Sequence, residues 1–75
     1  GIVMAAQETK VWTAARVRDE LPDVKIDFNG RIYPAIVRGR LCEFAGVIVP
    51  ETGLRCDVAW ETVAHCLNAN RPILY

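Results

Sequence analysis

Serine is missing from this 75-residue chain altogether, which removes every serine nucleophile. A single histidine, His65, is the one general base of that type. It sits next to Cys66, and neighbours on a helix point in different directions, so the two do not form a Cys–His dyad. The cysteines number three (Cys42, Cys56 and Cys66), an odd count with no Cys-x-x-Cys pair. That excludes a disulfide framework, matches no zinc-finger spacing, and fits small buried thiols in a reducing compartment. Net charge is absent too, with nine Lys and Arg against nine Asp and Glu, so bulk electrostatics give no pull toward nucleic acid. No apolar run approaches the length that crosses a bilayer. The opening Gly1-Ile2-Val3-Met4 lacks the charged region and cleavage site of a signal peptide. Gly30, Gly39, Gly46 and Gly53 are spaced as turns rather than as a phosphate loop, and no two carboxylates are marked out for acid–base work. Together these absences point to a non-enzymatic binding module inside the cell, nuclear or cytoplasmic, with no cofactor and no metal.

What is present reads as one small domain over residues 9–75 behind a flexible leader at residues 1–8, either a whole protein or a piece of a longer one. The hydrophobic share, 52% with 24% charged residues, belongs to a folded globule. It is high enough for so short a chain to suggest an apolar interface, such as a homodimer. From Thr9 to about Leu21 the spacing of Val11, Ala14, Ala15 and Leu21, with Val17 at the margin of their face, predicts a helix, capped by Thr9 or Thr13 and stopped by Pro22.

The sharpest local pattern follows. Val24-Lys-Ile-Asp-Phe28 alternates strictly, Asn29-Gly30 suits a type I′ turn, and Arg31 to Arg38 continues the alternation. A two-residue turn fixes the register, pairing Phe28 with Arg31, Asp27 with Ile32, Ile26 with Tyr33, Lys25 with Pro34 and Val24 with Ala35. Val24, Ile26, Phe28, Tyr33, Ala35 and Val37 then form a packed side, while Lys25, Asp27, Ile32, Pro34, Ile36 and Arg38 face the other way. Pro34 falls at a non-hydrogen-bonded pair of the hairpin, so a strand on its far side meets an edge or a bulge.

After a turn at Gly39, residues 41–49 read as a third strand covered on both faces, with Gly46 at a bend or close approach. Pro50 ends it, Glu51-Thr52-Gly53 turns, and Leu54 to Cys56 is a short extended piece. Asp57 is expected to cap a second helix whose stripe is Trp60, Val63, Ala64 and Leu67. Asn68 or Asn70 ends that helix in the left-handed region, and residues 72–75 return to the sheet.

The string Ile26-Asp-Phe-Asn-Gly30-Arg-Ile-Tyr-Pro-Ala35, with Ala59-Trp60-Glu-Thr62 about thirty positions on, resembles the RAMA domain, a small α+β module attached to restriction and adenine-methylation enzymes and to some chromatin proteins. The likeness covers about residues 24–75. It departs where the family has Ser-Pro-Ser before the helix, here Cys56-Asp57-Val58, and where it has a final Gly-Trp strand. The resemblance implies recognition of DNA.

The expected architecture is therefore α+β, a sheet of three to five short antiparallel strands with two helices; an SH3-like barrel with terminal helices is the alternative. Two surfaces are candidates for binding. Arg31, Arg38 and Arg40 would contact nucleic acid, on DNA or chromatin. Ile32, Pro34 and Ile36 would form an interaction patch for a second copy or another protein.

Overall fold

The structure, a computed structural model, describes residues 11–41 and 43–75, without the side chains of residues 39–41. The expected leader, Thr9 and Cys42 lie outside the described residues. The order of elements is α1 (Ala14–Glu20), β1 (Val24–Phe28), β2 (Arg31–Leu41), β3 (Phe44–Val49), β4 (Leu54–Ala59), α2 (Trp60–Ala69) and β5 (Ile73–Leu74). The strands lie in the order β4-β3-β2-β1-β5, all neighbours antiparallel except β5, which runs parallel to β1. The sheet curls into a half-barrel with both helices against one face, an α+β fold. Among the described residues β4 and β5 do not pair, so the sheet keeps two ends and forms no closed barrel.

The β1–β2 hairpin has the five pairs that the Asn29-Gly30 turn dictates. Asn29 (φ 56°) and Gly30 (φ 82°) take the left-handed conformations of a type I′ turn, and the amide of Gly30 donates to Asp27 Oδ1 at 3.0 Å. Beyond Ala35, β2 changes partner and pairs with β3 from Ile36↔Ile48 onward. Continuing that register by two residues would set Pro34 opposite Pro50. Neither has an N–H, so the ladder has no bond to make there and stops.

Gly39 corrects an expectation: it is no turn. It lies within β2, where the register slips between Arg38 and Arg40. One extra residue on β2 makes a bulge, which bends the strand and adds to the curl of the sheet.

The core lies between the sheet and the helices. Val24, Ile26, Ala35, Val37, Ala45, Val47, Val49, Cys56 and Val58 meet Val17, Trp60, Val63 and Ala64 there, with Ile73 closing the β5 side. The stripe on α2 is buried as its spacing requires, Leu67 only in part. Helix α2 starts two residues later than expected. Asp57 does not cap it but stands exposed in β4, opposite Gly46, and Ala59 occupies the cap position without a side-chain bond. Burial of Cys56 and Val58 in alternation holds this stretch extended, and that outweighs the capping preference of Asp57. The short piece expected at Leu54–Cys56 is thus a six-residue strand. At the other end Asn70 takes the left-handed conformation (φ 56°) and its amide bonds back to Cys66 and Leu67 carbonyls.

Helix α1 begins at Ala14, the residues 11–13 expected within it being non-helical. Val17, expected at the margin, is its buried residue, whereas Val11 is exposed, and two devices hold the helix. The hydroxyl of Thr13 accepts from the Arg16 amide at 3.1 Å, and Leu21 closes the end in the left-handed region ahead of Pro22. Asn68 of α2 then grips the chain entering α1: its Oδ1 accepts from the Trp12 amide at 2.7 Å, and its Nδ2 donates to the Trp12 carbonyl at 2.9 Å. Arg16 lies over the Trp12 ring at 4.3 Å and pairs with Glu20 at 2.7 Å.

Candidate binding surface

The sheet face turned away from the helices is built by alternation. Paired residues share a side, so the rows Lys25–Pro34, Asp27–Ile32, Ile36–Ile48–Arg55 and Arg38–Gly46–Asp57 all look outward. Phe44, two residues before Gly46, joins them. Ile32 is 54% exposed and Phe44 47%; Pro34 is exposed, and Ile36 and Ile48 are partly buried. The expectation that residues 41–49 are covered on both faces is corrected: Ala45, Val47 and Val49 are buried on the helix side, and Phe44 stands open on the other. Five apolar side chains thus share this face with Arg38, Arg55 and Lys25.

Gly46 flattens its centre. A Cβ there would lie 2.7 Å from the carbonyl oxygen of Arg38, its direct partner across the ladder, and 3.8 Å from an Arg55 Nη. The close approach expected at this glycine is present, and the Arg55 guanidinium reaches over the bare backbone.

Where this face meets the β1 edge, a groove of about 560 Å³ opens, lined among others by Ile32, Pro34, Lys25, Leu67, Arg71 and Pro72. A smaller hollow of about 320 Å³ lies between α1 and the start of α2. Arg18 there stands 6.0 Å from the Trp60 ring.

The three arginines expected to act together are not gathered on one face. Arg31 alternates onto the side of Tyr33; its guanidinium lies 5.0 Å from that ring and 3.5 Å from Glu51 Oε1. Arg38 is on the opposite face, seven residues along the strand, or roughly 23 Å at 3.3 Å per residue. Arg40 pairs with Ala45 past the bulge, and its side chain lies outside the described residues. Ile32, Pro34 and Ile36 do share the outer face. Phe44, Ile48 and Arg55, which complete it, were missed; the alternation of Phe44, Gly46 and Ile48 against Ala45, Val47 and Val49 was their signal. Neither Arg38 nor Arg55 makes an ion pair with a described residue.

Of the thiols, Cys56 is buried and Cys66 partly so, and both are free. Burial, and then the neighbouring carboxylate of Asp57, pushes the Cys56 thiol above its ordinary pKa. His65 is exposed on α2. Among the described residues no three His, Cys, Asp or Glu side chains converge as metal ligands, and no helix is long and apolar enough to cross a membrane. Comparison with known protein families, with curated proteins and with solved structures returns no match to this chain.

Proposed function

We propose that this chain is a non-enzymatic binding module whose outer sheet face docks a protein partner. The observation that supports it most is the apolar surface of Ile32, Pro34, Ile36 and Ile48, with Phe44 beyond Gly46, on a sheet whose other face is already filled by helices. Contiguous exposed apolar surface of this kind marks interaction sites. Lys25, Arg38, Arg55 and Arg71 outnumber Asp27 and Asp57 around it, so the fitting partner offers apolar side chains with a surplus of carboxylates. An intracellular setting, nuclear or cytoplasmic, suits the free thiols Cys56 and Cys66.

A second reading, nucleic acid, rests on a narrower observation: Arg38 and Arg55, with no ion pair to a described residue, share the outer face with the exposed ring of Phe44, and arginine with an aromatic platform suits unstacked bases and phosphate. The RAMA resemblance would add DNA in particular. The two readings separate by fluorescence polarisation against labelled peptides in which apolar residues alternate with carboxylates, and against single- and double-stranded oligonucleotides. Docking of protein predicts peptide binding that Ile32→Asp abolishes and that salt weakens little. It fails if no peptide binds, or if only oligonucleotides bind, with log K falling against log salt at roughly −0.9 per phosphate contacted.

A further inference from the structure

Strand β4 ends the sheet, and among the described residues no strand pairs with its outer edge. Edges of this kind are commonly blunted by proline, charged side chains or a bulge. Leu54-Arg-Cys-Asp-Val-Ala59 carries no proline and no bulge, pairs in unbroken register with β3, and its two exposed charges, Arg55 and Asp57, are opposite in sign.

Its backbone polarity follows from one bond. The Trp60 amide donates to the Glu43 carbonyl at 3.3 Å, just beyond the Phe44↔Ala59 pair. Hydrogen-bonded pairs alternate along an antiparallel ladder. Residues 54, 56, 58 and 60 therefore turn their N–H and C=O groups to β3, and Arg55, Asp57 and Ala59 turn theirs outward.

We propose that this edge is the seat of a second copy of the chain, the two β4 strands pairing antiparallel about a two-fold axis at Cys56. The edge restricts the possible registers sharply. Only outward-turned residues can exchange bonds, so within the strand's centre Arg55 can meet Arg55, Asp57 can meet Asp57, or Arg55 can meet Asp57. The first two set like charges directly opposite, which destabilises a cross-strand pair. The third makes two Arg–Asp pairs on the outer face, with reciprocal N–H···O=C bonds between residues 55 and 57 on both sides of the axis. Leu54 meets Val58 of the second copy on the helix face, continuing the core. The strand is self-complementary in charge and in apolar pattern at one register only, which is the property an isologous contact requires. The inference differs from the outer-face docking above, since it uses the edge of β4, sharing Arg55 with that face but not Ile32, Pro34 or Phe44.

Charge exchange tests it. Arg55 and Asp57 are both exposed, so single substitutions leave the core intact, which circular dichroism verifies. Sedimentation equilibrium of the 75-residue chain should show a dimer. Arg55→Asp and Asp57→Arg should each weaken it roughly tenfold or more by placing like charges opposite each other, and the double exchange should restore it. Cys56 supplies a positional check. It falls at a non-hydrogen-bonded pair on the axis, where Cα atoms lie about 4.5 Å apart, within the range of a disulfide. In the Cys42→Ala/Cys66→Ala variant, diamide should join two chains through Cys56, the two thiols losing two electrons and two protons to the azo bond of the reagent. A chain monomeric at about 1 mM, a dimer indifferent to both single exchanges, or a double exchange that fails to restore it overturns the proposal. Loss of peptide binding in Ile32→Asp leaves it untouched.

Discussion

Replacing Gly46 by alanine should destabilise the fold for a reason unlike that at the other described glycines. The added Cβ meets the Arg38 carbonyl oxygen at 2.7 Å, where ordinary contact begins near 3.4 Å, so the pair must open by about 0.7 Å. The oxygen is backbone and the Cβ is fixed rigidly to backbone in the middle of the β2–β3 ladder, where no flexible side chain can yield. Overpacking of this kind costs about 1–3 kcal/mol, and alanine returns roughly 0.4–1 kcal/mol by restricting the unfolded chain. A net loss of about 1–2 kcal/mol follows, or about 4–8 °C in Tm for each kcal/mol in a domain this size. Gly53 is the control: its φ is 80° and nothing lies within 4 Å of an added Cβ. Its cost is conformational, so Gly53→Asn should recover much of what Gly53→Ala loses, because asparagine tolerates the left-handed region. At Gly46 the larger Gly46→Asn should do worse than alanine. Urea denaturation of the four variants measures this. Gly46→Ala within about 0.5 kcal/mol of the parent chain, or Gly46→Asn milder than Gly46→Ala, would refute the steric reasoning.

Asn68→Ala removes both bonds to the Trp12 backbone and should cost about 1 kcal/mol. Seven residues of α1 are too few to stay helical unaided, so amide exchange at Val17 and Leu21 should quicken before exchange in β2 and β3 does. Ile32→Asp should cost about 1 kcal/mol in thermal melts: the side chain is 54% exposed and leaves no cavity, but the new carboxylate stands directly opposite Asp27 and aspartate is a poor strand former. Cys56, with its thiol pKa raised by burial and then by Asp57, favours folding while neutral. That contribution is complete below the unfolded thiol's ordinary pKa of about 8.5 and fades as pH climbs through the higher folded value. The stability curve of the parent chain should therefore fall relative to that of Cys56→Ala on the alkaline side, and parallel curves would contradict the assignment.

Local chemistry made the hairpin legible. Asn29-Gly30 admits one turn type, a two-residue turn admits one register, and period-two alternation then sorts Ile32, Pro34 and Ile36 from Val24, Ile26 and Ala35. The α2 stripe and the left-handed Asn70 were legible for the same reason, since each depends on residues within one or two turns. The second half of the chain was less so. A bulge at Gly39 looks in sequence like a turn, because glycine serves both. Asp57 looks like a cap until the burial of Cys56 and Val58 is known. Alternation alone could have separated Arg31 from Arg38, their positions being of opposite parity.

By itself, then, the sequence determined the elements whose geometry is set by neighbours along the chain: the tight reversal at residues 29 and 30, the faces of β1 and β2, and the buried side of α2. Tertiary structure alone decided which strand ends the sheet, where β2 leaves β1 for β3, and which residues of β3 and β4 stand beside Ile36 and Arg38. These depend on pairings between residues far apart in sequence. Many partners are compatible with the same local pattern, and only packing against a common core selects among them.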